Sequence, residues 1–214
     1  MKLLLTSTGL THPKIISAFN ELIGNDLSKV TIGFVKTASR TKEELKYVNK
    51  SKNELIDTGV LVSNIRILDF ANRNDTKTMH EYDVLYVCGG NTFHLLNEIK
   101  KNNYDIEIKK FIYQNKLYVG VSAGSIIPTP NIEIACVEPS DPNDVGLKDF
   151  SALGIIDFEI SPHSPELVPF ETVGGYAKTN KRKIYAISNK TALKIEGAKL
   201  EIVGERNYRF FNVK

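Results

Sequence analysis

A serine bracketed by glycines, a histidine set between prolines and a second glycine pair are the residues of this sequence best suited to chemistry. Ser122 stands in Gly120-Val121-Ser122-Ala123-Gly124, directly after the apolar run Leu117–Val121. A G-x-S-x-G segment between a buried strand and a helix presents its serine on a sharp turn, where the hydroxyl serves as a nucleophile toward an acyl carbon. Small flanking residues let that turn adopt a strained backbone and let neighbouring chains approach. The Ala123 N–H then faces the site as one oxyanion donor. Gly89-Gly90-Asn91-Thr92-Phe93 also follows an apolar run and opens a helical pattern. Gly90 N–H is the natural second donor, and Gly89, Asn91 and Thr92 are candidates for substrate contact at a helix N-terminus. Read as a plain strand-to-helix turn, the same loop uses Asn91 or Thr92 as its cap.

A serine hydroxyl needs a base, and histidine is the usual one. His12, His80, His94 and His163 are available. His163 lies in Ile160-Ser161-Pro162-His163-Ser164-Pro165 after the apolar run Ile155–Ile160. A histidine in a loop at the carboxyl end of a strand is where a doubly wound fold places active-site groups. It is the candidate base, while His80 and His94 read as surface or satisfied core residues.

These residues need a scaffold, and the pattern supplies one. Strand-like runs at Leu3–Leu5, Val30–Val35, Val84–Cys88 and Leu117–Val121, and a strand within Val60–Leu68, alternate with helical spacing over Lys14–Ile23, Thr41–Asp57, Thr92–Lys101 and Asp105–Gln114. Continuous apolar strands between amphipathic helices predict an α/β fold, a doubly wound and mostly parallel sheet covered on both faces. Pro128 is expected to truncate the helix after the serine turn. Beyond about residue 135 the pattern changes to short strand candidates at Ile155–Ile160, Lys183–Ile187, Ala192–Ile195, Leu200–Val203 and Tyr208–Val213. These read as a small C-terminal hairpin or meander appendage on one domain spanning 1–214.

Bulk properties narrow the partners. The chain has 214 residues, 42% hydrophobic and 25% charged, with a net charge of +3. That charge is too small to argue for nucleic acid, and the one basic run, Lys178–Lys183, has no interleaved aromatics. No stretch approaches the roughly 18 apolar residues of a membrane span. Two cysteines, Cys88 and Cys136, fit no metal or redox spacing and suit a reducing, cytoplasmic compartment. Acyl transfer of this kind requires no metal or organic cofactor. The sequence leaves the oligomeric state open, with a homodimer as one option.

Together, Gly89-Gly90-Asn91-Thr92-Phe93, Gly120-Val121-Ser122-Ala123-Gly124 and Ser161-Pro162-His163 resemble, in order and spacing, the aspartyl dipeptidase (dipeptidase E) family of serine peptidases. The resemblance covers nearly the whole chain, and the cyanophycinases are similar more distantly. It implies a class I glutamine amidotransferase-like fold, Ser122 as nucleophile, His163 as general base and Gly90 with Ala123 as oxyanion hole. Two departures stand out. The family's glutamate near the base falls here on Asn189, within Ile187-Ser188-Asn189-Lys190. An acid between Ser122 and His163 is the other option: Glu138 and Asp141 first, with Glu133 and Asp144 behind them, or a Ser-His dyad with no third member. The family's arginine is expected soon after the histidine, yet Ser164 to Ala177 contains no lysine or arginine. Arg182 reaches in only if its loop folds back, so strict aspartyl specificity does not carry over. The expectation is a serine peptidase acting on short peptides or related small amides, with an esterase or amidase, or a non-catalytic member of the fold, as the alternatives.

Overall fold

The computed structural model describes residues 1–24 and 26–213, without the side chains of 75–77. The N-terminal part alternates strands and helices: β1 (Lys2–Thr6), α1 (Pro13–Ile23), β2 (Ile32–Val35), α2 (Lys42–Asp57), β3 (Ile65–Leu68) and β4 (Val84–Val87). It continues with α3 (Thr92–Lys101), α4 (Tyr104–Tyr113), β5 (Leu117–Val121) and a short α5 (Ala123–Ile126). The C-terminal part holds β6 (Glu159–Ser161), α6 (Phe170–Asn180), β7 (Lys183–Ile187), β8 (Thr191–Glu196), β9 (Lys199–Gly204) and β10 (Tyr208–Asn212).

The central sheet runs β3-β2-β4-β5-β1-β8-β9. Its first five strands pair in parallel, and β8 and β9 pair antiparallel. Side chains alternate between two buried faces, as successive strand residues must. Leu3, Leu5, Leu85, Val87 and Tyr118 join the core with Leu95 and Ile99 of α3 and Ile108 and Phe111 of α4. Leu4, Phe34, Tyr86 and Val119 pack with Ile15 and Phe19 of α1 and Val48 and Leu55 of α2. Burial on both faces explains why these strands read as unbroken apolar runs rather than alternating ones.

The C-terminal strands divide between two sheets. The β8–β9 hairpin is stitched to β1 and extends the central sheet, while β10-β7-β6 form a second sheet of three strands. The strand expected within Val60–Leu68 is Ile65–Leu68, after a 3-10 turn at Val62–Asn64. One apolar run behaves differently from the strand its composition suggests. Within Ile155–Ile160 the first two amides donate to Pro128 O, at 2.9 and 3.3 Å, so that loop is tied to the end of α5 and the strand starts at Glu159. The helix after the serine turn has four residues and stops before Pro128, whose ring cannot continue it.

Glu159 enters β6 almost wholly buried, 2% exposed. Arg182 Nε lies 3.3 Å from its Oε1, and the Tyr176 hydroxyl donates to its Oε2 at 3.3 Å. Burial outweighs Arg182 and lifts this carboxyl to about 7, from 4.5 for a free glutamate. The folded protein therefore holds this proton over a range where the unfolded chain has lost it, and the resulting stability is complete below pH 4.5 and lost as pH rises through 7. Across that window the loss is about 1–3 kcal/mol. Glu159→Gln is expected to flatten this part of the Tm-against-pH curve. A variant curve parallel to wild type from pH 4.5 to 8 would refute the assignment.

Candidate active site

The carboxyl ends of β1, β4 and β5 meet at one cleft of about 520 Å³. Ser122 follows β5 with φ 50° and ψ −112°, a conformation that a non-glycine residue holds only when its surroundings enforce it. The surroundings do so. Ser122 N–H donates to Thr6 O at 3.0 Å, Ser125 Oγ donates to the same carbonyl at 2.7 Å, and the buried Tyr118 hydroxyl donates to Gly124 O at 2.7 Å. The flanking glycines are required by close approach. A methyl at Gly120 would stand 2.4 Å from Gly124 O, and one at Gly124 would stand 2.2 Å from Val87 O.

His163 enters from the loop after β6, also with positive φ, 57°. Its backbone N–H donates to Ser7 Oγ at 2.6 Å, which ties the loop to the end of β1. Nε2 lies 2.9 Å from Ser122 Oγ, and Nδ1 lies 2.7 Å from Asn189 Oδ1, on the turn between β7 and β8. With the asparagine oxygen as acceptor, the ring proton sits on Nδ1 and the Nε2 lone pair faces the serine hydroxyl. Ser7 Oγ is a second, longer neighbour of Nδ1 at 3.3 Å.

The acids between Ser122 and His163 are occupied elsewhere, and the structure does not bring them to the imidazole. Asp141 Oδ2 accepts the Thr92 N–H at 2.8 Å and so caps α3. Glu138 folds onto Ser140, accepting from its N–H at 3.1 Å and its Oγ at 3.0 Å. Asp144 pairs with Arg40 at 2.8 Å and Glu133 with Arg182 at 3.0 Å. The second pair also holds Arg182 beside Glu159, and the arginine is not among the residues lining the cleft.

Gly89 and Gly90 border the cleft, and Gly90 has φ 134°. Asn91 and Thr92 do not border it. Asn91 is the cap of α3, accepting the His94 N–H at 2.7 Å, and its Nδ2 donates to Pro142 O at 2.7 Å. Asn91 and Thr92 thus clamp the 138–144 loop to the helix. The other histidines lie outside the cleft lining: His12 caps α1 by accepting the Lys14 N–H, His80 is exposed, and His94 buries Nδ1 without a partner among the described residues. Cys88 does line the cleft, but burial pushes its thiol far above the ordinary range, so it stays protonated and is no rival nucleophile at neutral pH.

Residues 3–203 match the sequence profile of peptidase family S51. The chain belongs to that family. It is 35% identical over 195 residues to an uncharacterized peptidase of Listeria monocytogenes, covering 90% of this chain and 93% of that one. It is 24% identical to Peptidase E of Streptomyces coelicolor, over 99% of this chain and 87% of the other. The fold superposes with a TM-score of 0.79 on the crystal structure of a candidate Peptidase E protein from Listeria monocytogenes EGD-e, at 33% identity over 94% of this chain and 96% of that chain. S51 members are peptidases, so this chain is a hydrolase. Among the described residues no helix is long and apolar enough to cross a membrane.

Several residues around the S51 cleft carry no motif that would announce them. Ser7 and Thr8 are two polar residues in the loop after the first strand, and the run Thr6-Ser7-Thr8-Gly9 is the one sequence signal for them. Tyr47, Lys50 and Ser51 line the cleft from α2, and Glu166 and Leu167 from the loop after His163.

Proposed function

We propose that the protein is a serine dipeptidase in which Ser122 is the nucleophile, His163 the general base, Asn189 the residue that orients the ring, and the Gly90 and Ala123 amides the oxyanion hole. The observation that carries this is the chain Ser122 Oγ–His163 Nε2–Asn189 Oδ1, at 2.9 and 2.7 Å. Proton transfer needs contact of this kind, and the tautomer set by Asn189 leaves Nε2 free to accept. As Ser122 Oγ attacks the scissile carbonyl, its proton passes to Nε2. The oxyanion forms between two amides that have no acceptor among the described residues. Collapse breaks the C–N bond, Nε2–H protonates the leaving amine, and water attacks the acyl-enzyme by the same route.

The cleft size suits a short peptide rather than a folded chain. The pairing of β1 with β8 supports reading 1–214 as one hydrolytic domain, and two free thiols suit a cytoplasmic place of action. A panel of dipeptides with acidic and with neutral first residues, assayed for released amine beside small esters, tests the reading. Dipeptide turnover is expected. Ester hydrolysis without any dipeptide turnover would favour an esterase. Asn189→Ala is expected to lower kcat about 10- to 10³-fold with little change in KM, because the ring loses its orientation rather than the substrate its contacts. Unchanged kcat would remove Asn189 from the mechanism.

A further inference from the structure

Asn189 is held at both ends of its own backbone. Its N–H donates to Glu166 Oε1 at 2.9 Å, and its carbonyl accepts from Thr8 Oγ1 at 2.5 Å. Glu166 stands three residues after His163, at the cleft wall and exposed. A neutral asparagine orients an imidazole but lends no charge to the imidazolium that forms when Ser122 gives up its proton. Glu166 brings a full negative charge to the residue that contacts the ring.

We propose that Glu166 is a positioning residue for acyl transfer: its carboxylate fixes Asn189 against His163 and supplies, across the Asn189 peptide, the negative charge that the asparagine side chain lacks. The proposal rests on reading Ser122 and His163 as the catalytic pair. Other charges around the cleft are committed elsewhere. Lys190, beside Asn189, pairs with Glu205 at 3.0 Å, and Lys50 lies 3.9 Å from Glu54. Glu44 accepts from the Arg40 and Thr41 amides at 2.8 and 2.7 Å. Ser7, Thr8 and Ser122 carry no charge, and Cys88 stays a thiol. Glu166 is thus the carboxylate hydrogen-bonded to the base's own support.

Two variants separate charge from hydrogen bonding. Glu166→Gln keeps an acceptor for the Asn189 N–H and removes the charge; Glu166→Ala removes both. In dilute buffer, Glu166→Gln is expected to move the acid limb of the kcat/KM profile down by about half to one pH unit. It should lower kcat about three- to tenfold and leave KM within about twofold. Glu166→Ala should lose about ten- to a hundredfold in kcat. Because the carboxylate is solvent-exposed, raising salt to about 0.5 M should move the wild-type limb the same way and leave the Gln variant's limb in place. An unmoved acid limb in Glu166→Gln would overturn the proposal. So would a raised KM with kcat retained, which would make Glu166 a substrate contact. Thermal unfolding of the Gln variant within a few degrees of wild type secures the comparison should the Ala variant misfold. Fluorophosphonate labelling of wild-type Ser122 keeps the two readings apart: a labelled serine with an unmoved limb sinks the role of Glu166 alone, whereas an unlabelled serine sinks the catalytic pair beneath it.

Discussion

Replacing Ser122 with alanine is expected to lower kcat by about 10⁴- to 10⁶-fold on any dipeptide the wild type cleaves, with the unfolding curve nearly unchanged. The size follows from the route. Without Oγ there is no acyl-enzyme, and what remains is substrate binding and the polarising effect of the oxyanion amides on direct attack by water. The small effect on stability follows from the elbow, whose backbone is held by Thr6 O and the Tyr118 hydroxyl and not by the serine side chain. Serine and members of its unit are not additive, so His163→Ala in the Ser122→Ala background should cost little more. Residual turnover above about 1% of wild type would point to another nucleophile, since the route allows only about 10⁻⁴. The buried, protonated Cys88 is a poor one.

The second large effect is on the scaffold. Gly124→Ala puts a methyl 2.2 Å from Val87 O and 3.1 Å from Val87 Cβ, with backbone on both sides of the clash. Neither side yields without shifting β4 or α5, and overpacking of this kind costs about 3 kcal/mol or more. For a chain of this length that lowers Tm by about 6–12 °C. The shift also falls on the end of β4 that leads into Gly89 and Gly90, so kcat should drop with stability. Gly175→Ala is the control. It lies inside α6 with nothing within 4 Å of the new methyl, and should raise stability by about 0.5–1 kcal/mol. Equal behaviour of the two variants would show that the close approach at Gly124 is not a constraint.

The parts of the fold that were legible in the sequence are those with one physical cause. Leu117–Val121 and Thr92–Lys101 have the bounds their patterns predict, because a strand buried on both faces and a helix with an apolar stripe each leave a clear signal. Helix α6 left none. Gly174 and Gly175 interrupt it, and only Val173 and Ala177 are buried along it. Ile155 and Ile156 misled for the opposite reason, as their apolar side chains pack against the core from a loop.

The site divides in the same way. Ser122 sits in a local strand–turn–helix pattern, and His163 follows a strand in a loop between prolines. The partner of the ring was harder to read. A carboxylate in the 133–144 loop suits an imidazole and a helix N-terminus equally well, and Asp141 takes the second. Asn189, Thr8, Ser7 and Glu166 come from three separate loops, those after β1, β6 and β7, which meet only in the folded chain. No spacing in the chain records that.

The proposed mechanism needs Ser122 to be a nucleophile activated by His163, and the site of covalent modification by a fluorophosphonate in the folded protein tests this most directly. Peptide mapping is predicted to show one adduct, on Ser122, formed at least about a hundredfold more slowly in His163→Ala and absent after denaturation, since a lone hydroxyl is a weak nucleophile. No adduct in the folded wild type, or an adduct on another residue with Ser122 unmodified, would contradict the account.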